Sequence, residues 1–368
     1  MKTTTRFFAC MFLMLALVLS LVGCKGGGSY PPVASTAPDS TVLARWGDYE
    51  LKYELFRFFF LNSLSDYDGG DHERWRGEEG DALWANAVED ILYRICDLYA
   101  TLEVAKEYGI DPSGEELLAR VDVYIQADIE GGWVESEWIE GYGSHEAYLT
   151  AIQRDYNATD AVMRLLYQNT VVLNALYDYI VEKFGSGDIV VDDAALNDYL
   201  DSKDCVRYNQ VYIPFDQRGK DWARERANNI REDMLTAKSY DELVRVGFAK
   251  SGDIPPQHTL ENGMWASPYT IDRYLSPLYY DTLFSLQTGE ISPVIETEEG
   301  CYILYGMQKP WSVAHEPAIR EDLVQLYLSH SYYYRIHELT LSMQSELVYT
   351  DEYARVRGVT FLDDRRDV

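Results

Sequence analysis

The sequence predicts an α+β protein in which a helical body, built from both ends of the chain, carries a small inserted α+β unit. Three observations support this. Apolar residues recur every three or four positions over most of the first 200 residues and again after residue 311, as amphipathic helices require. Strand-like alternation falls between residues 201 and 310. A length of 368 residues suits two or three domains, each with its own core.

The first residues are typical of an export signal. Lys2 and Arg6 precede an apolar run from Phe7 to Val22, the charge and length pattern of a secretory signal. The run ends in Leu21-Val22-Gly23-Cys24, which resembles the lipobox of bacterial lipoproteins. This resemblance implies that residues 1–23 are a removed signal peptide and that Cys24 carries the lipid. The alternative is a plain signal or a short membrane anchor.

Residues 24–40 are predicted to be a flexible tether, because they contain a run of three glycines and three prolines. An acylated cysteine carries two or three chains, and each buried CH₂ contributes about 0.8 kcal/mol to membrane binding. We therefore expect an extracytoplasmic protein anchored by lipid to the bacterial cell membrane.

Residues 41–200 are predicted to form a helical N-terminal domain after one short strand. The strongest helix pattern runs from Leu83 to Tyr108, with Gly109 at the C-terminal cap position. Ser113 and Glu116 match a capping box for the next helix. The predicted elements are a strand at 41–46, helices at 52–63, 83–108, 113–128, 144–156 and 159–184, a loop at 66–81 and a linking helix at 192–200.

Residues 201–310 are predicted to be a separate α+β domain. The predicted elements are strands at 206–213, 291–296 and 301–307, helices at 221–237, 240–250 and 271–286, and a loop at 251–268. Residues 311–368 follow, with a long amphipathic helix at 317–347. Because a helix of that length needs a partner for its apolar face, we expect it to pack back on the N-terminal domain.

The charge balance excludes one class of partner. The chain has 61 acidic and 32 basic side chains and a formal net charge of −29, whereas binding to nucleic acid requires neutralisation of phosphates by Lys and Arg. We expect cationic unfolded clients that are released as salt rises. Solubility alone is the competing explanation of the acidic charge.

The cysteines and histidines give no metal pattern. Cys96, Cys205 and Cys301 remain after the signal and lipidation cysteines, and no Cys-x-x-Cys pair occurs. Buried free thiols are expected, with a Cys205–Cys301 disulfide as the alternative. Because the six histidines show no metal-ligand spacing, we expect no metal and no cofactor.

Residues 206–309 resemble a parvulin-type (PpiC) peptidyl-prolyl cis-trans isomerase domain. The matching runs are Leu286-Gln-Thr-Gly-Glu-Ile-Ser292, Gly300-Cys-Tyr-Ile-Leu304, Tyr240-Asp-Glu-Leu243, Ala249-Lys-Ser251 and Asn262-Gly-Met-Trp265. A strand and helices before this unit and a closing helix after it resemble the layout of exported foldase lipoproteins of the PrsA and SurA type. The resemblance implies a chaperone-like helical body.

The resemblance also implies a site. Substrate-binding positions fall on Leu275, Tyr279 and Trp265, and catalytic positions fall on Asp253, Gln210 and Tyr302. Gln210 and Tyr302 stand where the family has histidines. Rotation about an X–Pro amide crosses a barrier of about 18–20 kcal/mol, and a catalyst needs an apolar slot and groups that favour the twisted amide. Ordinary core packing is the competing explanation for Leu275 and Tyr279.

The sequence therefore predicts a membrane-anchored folding factor that binds unfolded or newly exported polypeptides, including proline-containing segments, with peptidyl-prolyl isomerisation implied by resemblance. The first alternative is a catalytically inactive peptide-binding chaperone, which the replacement of both histidines favours. The second is a ligand-binding or scaffold lipoprotein of the envelope, although the chain lacks the two repeated α/β lobes of a solute-binding protein.

Overall fold

A computed structural model describes residues 39–134, 137–252, 257–269, 271, 276–297 and 299–363. The predicted signal peptide and Cys24 lie outside the described residues, as do Asp253 and Leu275. The chain divides into two compact units. The helical unit contains the described chain up to Val181 together with the chain from Tyr334, and the sheet unit contains Glu182–Tyr333. The predicted α+β class is confirmed.

The helices and strands are numbered along the chain. The helical unit begins with β1 Val42–Trp46, β2 Tyr49–Lys52, α1 Tyr53–Asn62, α2 Leu64–Asp68, α3 Gly80–Glu107, α4 Glu115–Glu130, β3 Gly132–Val134, β4 Glu137–Ile139, α5 His145–Tyr156 and α6 Asp160–Ser186. The sheet unit follows with α7 Asp193–Asp201, β5 Val206–Pro214, α8 Lys220–Thr236, α9 Tyr240–Val246, α10 Gln257–Asn262, β6 Met264–Ala266, α11 Pro277–Ser285, β7 Ile295–Glu296, β8 Gly300–Gly306 and α12 Arg320–Glu346. The chain closes with β9 Val348–Tyr349 and α13 Gly358–Asp363. The division into units falls inside α6 and α12.

Both ends of the described chain meet in the helical unit. Strand β1 pairs antiparallel with β2 and with β9, in the order β2-β1-β9. The core contains an aromatic cluster in which the ring of Phe60 lies 4.8 Å from Trp75 and 5.4 Å from Phe361 between centroids. Phe56 and Phe60 are four residues apart on α1 and are both fully buried, which is the spacing of one helix face.

Three expectations for the helical unit are wrong. The predicted loop at 66–81 instead contains the end of α2, a 3₁₀ helix at His72–Arg76 and the start of α3. Asp68 orders this segment by accepting hydrogen bonds from the Trp75 indole at 2.8 Å and the Gly70 amide at 2.7 Å. The predicted capping box is absent, because helix α4 begins after Gly114 without a side-chain cap. The region was also expected to be helical after one strand, whereas β3 and β4 form an antiparallel hairpin.

The sheet unit is built on a four-stranded antiparallel sheet of order β6-β5-β8-β7. Helix α8 supplies Ala223, Ala227 and Ile230 to a core against Val211 and Ile303 on one face of the sheet. Helix α11 packs on the opposite face, where Leu283 is buried.

Several predicted element bounds in this unit differ from the structure. Helix α11 is shorter than the predicted 271–286, because Pro277 occupies its first turn and Ser276 caps it. The predicted strand at 291–296 is reduced to β7, since the Ser292 hydroxyl accepts from the Leu304 amide at 2.9 Å and Pro293 has no N–H to donate. Strand β6 lies in the predicted loop at 251–268.

The three cysteines of the described chain are free thiols. Cys96, Cys205 and Cys301 are buried free thiols, so the expectation of free thiols is confirmed and the disulfide alternative is wrong. Burial raises the pKa of Cys96 and of Cys205 to about 12.

None of the described helices combines the length and the apolar content needed to span a bilayer.

Candidate functional site

One face of the four-stranded sheet carries tyrosine and glutamine side chains. Alternate residues of a strand share a face, and directly paired residues of antiparallel strands lie on the same face. The register therefore places these residues together: Tyr208, Gln210 and Tyr212 of β5 with Gly306, Leu304 and Tyr302 of β8. Gln210 and Tyr302 are consequently diagonal neighbours rather than a direct pair.

Helix α11 covers this face and supplies Tyr279. The Ser276 hydroxyl accepts a hydrogen bond from the Tyr279 amide at 3.3 Å and so caps the first turn of the helix. One turn further along, Leu283 is fully buried against Leu304 and Ile295. The buried Leu283 holds the helix on the sheet.

Tyr279 joins the two strand positions that the resemblance singled out. Its hydroxyl donates to Gln210 Oε1 at 2.7 Å. Its ring meets the ring of Tyr302 at 5.1 Å between centroids and an interplanar angle of 77°, an edge-to-face contact of the kind that aromatic pairs favour. The structure thus brings Tyr279, Gln210 and Tyr302 into one cluster.

Tyr212 extends the cluster along the sheet. Its ring stacks on Tyr302 at 4.7 Å between centroids and 26° between planes. We call Gln210, Tyr212, Tyr279 and Tyr302 the tyrosine face. All four side chains are half-buried, so each combines a packed side with contact to solvent.

The chain that leads to Asp253 is attached to the same strand. The Tyr212 amide donates to Ser251 Oγ at 2.8 Å, and the Gly252 amide donates to the Tyr212 carbonyl at 2.6 Å. A Cβ atom on Gly252 would lie 2.5 Å from Pro214 Cδ, so glycine is required for this close approach. Residues 251 and 252 therefore lie along the edge of β5 at Tyr212.

Trp265 lies on the opposite face of the sheet. It pairs with Arg207 across β5 and β6. The side chains of residues 207 and 210 point to opposite faces of the sheet, because they are an odd number of positions apart along β5. The Arg207 guanidinium lies 5.5 Å from the Trp265 ring centroid and also pairs with Glu316 at 2.8 Å. The structure does not bring Trp265 to the tyrosine face.

The chemistry of the tyrosine face is that of neutral hydrogen bonding and ring contact. A glutamine amide does not ionise, and a tyrosine hydroxyl has an ordinary pKa of about 10. With Oε1 accepting from Tyr279, the Gln210 Nε2 group is the end that donates hydrogen bonds. This arrangement suits an apolar ring together with a peptide carbonyl.

A separate cavity of about 440 Å³ lies at the other face of the sheet, lined by Ile213, Pro214, Arg218, Trp222, Arg226, Lys250 and Gly252. The Arg218 guanidinium lies 3.4 Å from the Trp222 ring centroid, and Lys250 pairs with Asp233 at 2.8 Å. No residue of the tyrosine face lines it.

Two features of the site escaped the sequence analysis. Tyr212 was not named as a site residue, although alternation along β5 places it on the same face as Gln210. The hydrogen bond between Tyr279 and Gln210 joins residues 69 positions apart, and its only sequence signal was that both fell on positions of the same family pattern.

The chain matches no protein-family model and no curated protein. Among solved structures it is similar to PrsA from Bacillus subtilis, with 13% identity over 84% of this chain and 93% of that chain and a TM-score of 0.26. It is also similar to the foldase protein PrsA from Streptococcus pneumoniae, with 12% identity over 72% of this chain and 88% of that chain and a TM-score of 0.31. The peptidylprolyl isomerase PrsA from Bacillus anthracis matches at 13% identity over 69% of this chain and 96% of that chain, with a TM-score of 0.23.

These similar structures are PrsA foldases.

Proposed function

We propose that the chain is an extracytoplasmic folding factor, attached to the bacterial membrane by lipid at Cys24, that binds unfolded exported polypeptides and isomerises X–Pro bonds at the tyrosine face. In this proposal residues 201–310 form the peptide-binding domain. Residues 41–200 and 311–368 form the body that holds the rest of the client.

The contact of Tyr279 with both Gln210 and Tyr302 carries the proposal. A proline ring needs an apolar surface, which the faces of half-buried tyrosines supply. The adjacent Gln210 amide can donate to a carbonyl of the bound peptide. Such a donor accelerates rotation when its hydrogen bond is stronger in the twisted amide than in the planar one.

Asp253 and Leu275 complete the site in this proposal. Both assignments rest on the resemblance, because neither residue is among the described ones. Support for Asp253 comes from the preceding Ser251 and Gly252, which bond to the Tyr212 backbone. Leu275 immediately precedes Ser276, the cap of helix α11.

Peptide binding without isomerisation is the second candidate. The side chains at the two family histidine positions favour it, because a glutamine amide and a tyrosine hydroxyl do not supply the neutral-pH acid–base chemistry of histidine. In that case the tyrosine face would retain clients without changing the rate of rotation.

A protease-free isomerisation assay on X–Pro peptides separates the two candidates. We expect the full chain to exceed the buffer rate and Tyr279→Ala, Asp253→Ala and Leu275→Ala to reduce the excess. Tyr349→Ala, a change of an exposed tyrosine in the helical unit, is the matched control. A wild-type rate equal to buffer, with peptide binding that Tyr279→Ala weakens, would leave the binding function alone.

A further inference from the structure

The β3–β4 hairpin of the helical unit exposes two tryptophans. Trp133 and Trp138 are 68% and 60% exposed. They are directly paired across the hairpin, and their rings meet at 5.8 Å between centroids and 68° between planes. Large apolar side chains that remain in water as a contiguous pair are typical of an interaction site.

The base of the hairpin is held firmly. The Tyr142 amide donates to the Asp128 carbonyl at 2.8 Å, and the Gly143 amide donates to the Ile129 carbonyl at 2.7 Å. Gly131 has a φ of +82°, and a Cβ on Gly141 would lie 2.0 Å from the Gly131 nitrogen. The backbone segments at Gly131 and Gly141 therefore approach at a distance that only glycine permits, and this close approach fixes the base of the hairpin that carries the tryptophans.

The charged side chains between Arg120 and Arg154 are all acidic, and one of them, Asp122, pairs with Arg164 at 2.7 Å. Residues 121–153 contain seven aspartates and glutamates and no lysine or arginine. Glu130 and Glu140 flank the hairpin, and both are exposed. An anionic bilayer would be repelled by this charge, and so would a second copy of the same hairpin. A cationic partner would be attracted.

We propose that the Trp133–Trp138 pair is a docking site for lysine- and arginine-rich unfolded segments of exported polypeptides. The tryptophan faces take the aliphatic stems and cationic heads of Lys and Arg, which cation–π attraction favours. The carboxylates of Glu130 and Glu140 add charge complementarity. The choice of an unfolded polypeptide as the partner rests on the proposed function, whereas the site is distinct from the tyrosine face.

The test is fluorescence anisotropy of a labelled, unstructured peptide that contains lysine and leucine, with a peptide in which glutamate replaces lysine as the comparison. We expect the full chain to bind the lysine peptide preferentially and more weakly at 200 mM than at 20 mM salt. The double variant Trp133→Ala/Trp138→Ala should bind about tenfold more weakly, as loss of tryptophan contacts usually does. Trp311→Ala is the control, because Trp311 is 73% exposed in the sheet unit.

A second double variant tests the contribution of the two glutamate charges to peptide binding. Glu130→Gln/Glu140→Gln leaves the tryptophans in place and should weaken binding of the lysine peptide at low salt while removing most of the difference between the two salt concentrations. This variant still tests the docking site if the double tryptophan variant fails to fold, as judged by its circular dichroism spectrum.

Several outcomes would overturn the proposal. They are equal binding of the two peptides, unchanged binding by the variants, tryptophan-dependent binding to phosphatidylglycerol vesicles instead of peptide, and tryptophan-dependent self-association. Isomerisation of a neutral X–Pro peptide is measured on the wild-type chain and on the same variants. If the wild-type chain isomerises that peptide but does not bind the lysine peptide, the docking site is wrong and the tyrosine face stands. If the wild-type chain binds the lysine peptide through the tryptophans but does not isomerise the X–Pro peptide, the docking site stands and isomerisation at the tyrosine face is wrong.

Discussion

Replacing Tyr279 by phenylalanine separates the two contacts that the proposal assigns to this residue. The change removes the hydroxyl that donates to Gln210 Oε1 at 2.7 Å and keeps the ring that contacts Tyr302. A neutral hydrogen bond contributes about 0.5–1.5 kcal/mol. Because both side chains are half-buried, water can replace the lost partner, so we expect a loss of about 1 kcal/mol rather than the full cost of burying an unpaired group.

That figure sets the expected kinetics. If Tyr279 holds the Gln210 amide in its productive orientation, a loss of about 1 kcal/mol lowers kcat/KM for isomerisation by about fivefold. Tyr279→Ala should lower it further, because the edge-to-face contact with Tyr302, worth about 0.5–1.5 kcal/mol, is lost as well. Isomerisation rates from line-shape or exchange NMR on an X–Pro peptide give both values.

A double-mutant cycle provides the control. Tyr279→Phe and Gln210→Ala should be non-additive, since each removes the same hydrogen bond. If Tyr279→Phe retains the wild-type rate within twofold while Tyr279→Ala is inactive, the ring alone matters and the role given to Gln210 is wrong. If Tyr279→Ala is as active as the wild type, the tyrosine face is not the site.

Three further predictions concern the rest of the molecule. Burial raises the pKa of Asp128 to about 6. The folded state therefore binds more protons than the unfolded state between about pH 4 and 6, and stability falls by up to about 3 kcal/mol as pH rises through that window. Denaturant unfolding from pH 4 to 8 should show this slope, and Asp128→Asn should reduce it. Gly358→Ala should destabilise by about 1–3 kcal/mol because its Cβ would lie 2.4 Å from the Trp75 ring, whereas Gly185→Ala, with open space around its Cβ, should be neutral or stabilising in thermal unfolding. Cys205, buried and with a pKa raised to about 12, should react with a thiol reagent at pH 8 only upon unfolding, and rapid reaction of the native protein would contradict its burial.

Periodicity was sufficient to predict the long helices and the central strands. Helix α3 carries the apolar spacing that one face of a core requires, and β5 alternates with Val206, Tyr208 and Tyr212 on one face, so their positions follow from sequence. The short elements do not. Strand β6 has three residues and β7 two, and such segments become strands only because β5 and β8 offer them backbone partners. The β3–β4 hairpin likewise depends on the close approach of Gly131 and Gly141.

Strand alternation also predicts part of the tyrosine face. Alternation along β5 and β8 places Gln210 and Tyr302 on one face once their register is known. The register also determines that Trp265 faces the other way, because β6 pairs Trp265 with Arg207. A family pattern identifies positions along the chain, whereas the face of a short edge strand depends on pairing that no local sequence pattern specifies.

Photo-crosslinking tests the tyrosine face most directly. A neutral peptide with a benzophenone amino acid next to its proline would be irradiated with the full chain, and the attachment points identified by mass spectrometry. We predict that attachment concentrates on the segments that contain Tyr279 and Tyr302, and that an unlabelled proline peptide competes for it. Attachment that avoids both segments, or that proline-free peptides suppress equally well, would contradict the account.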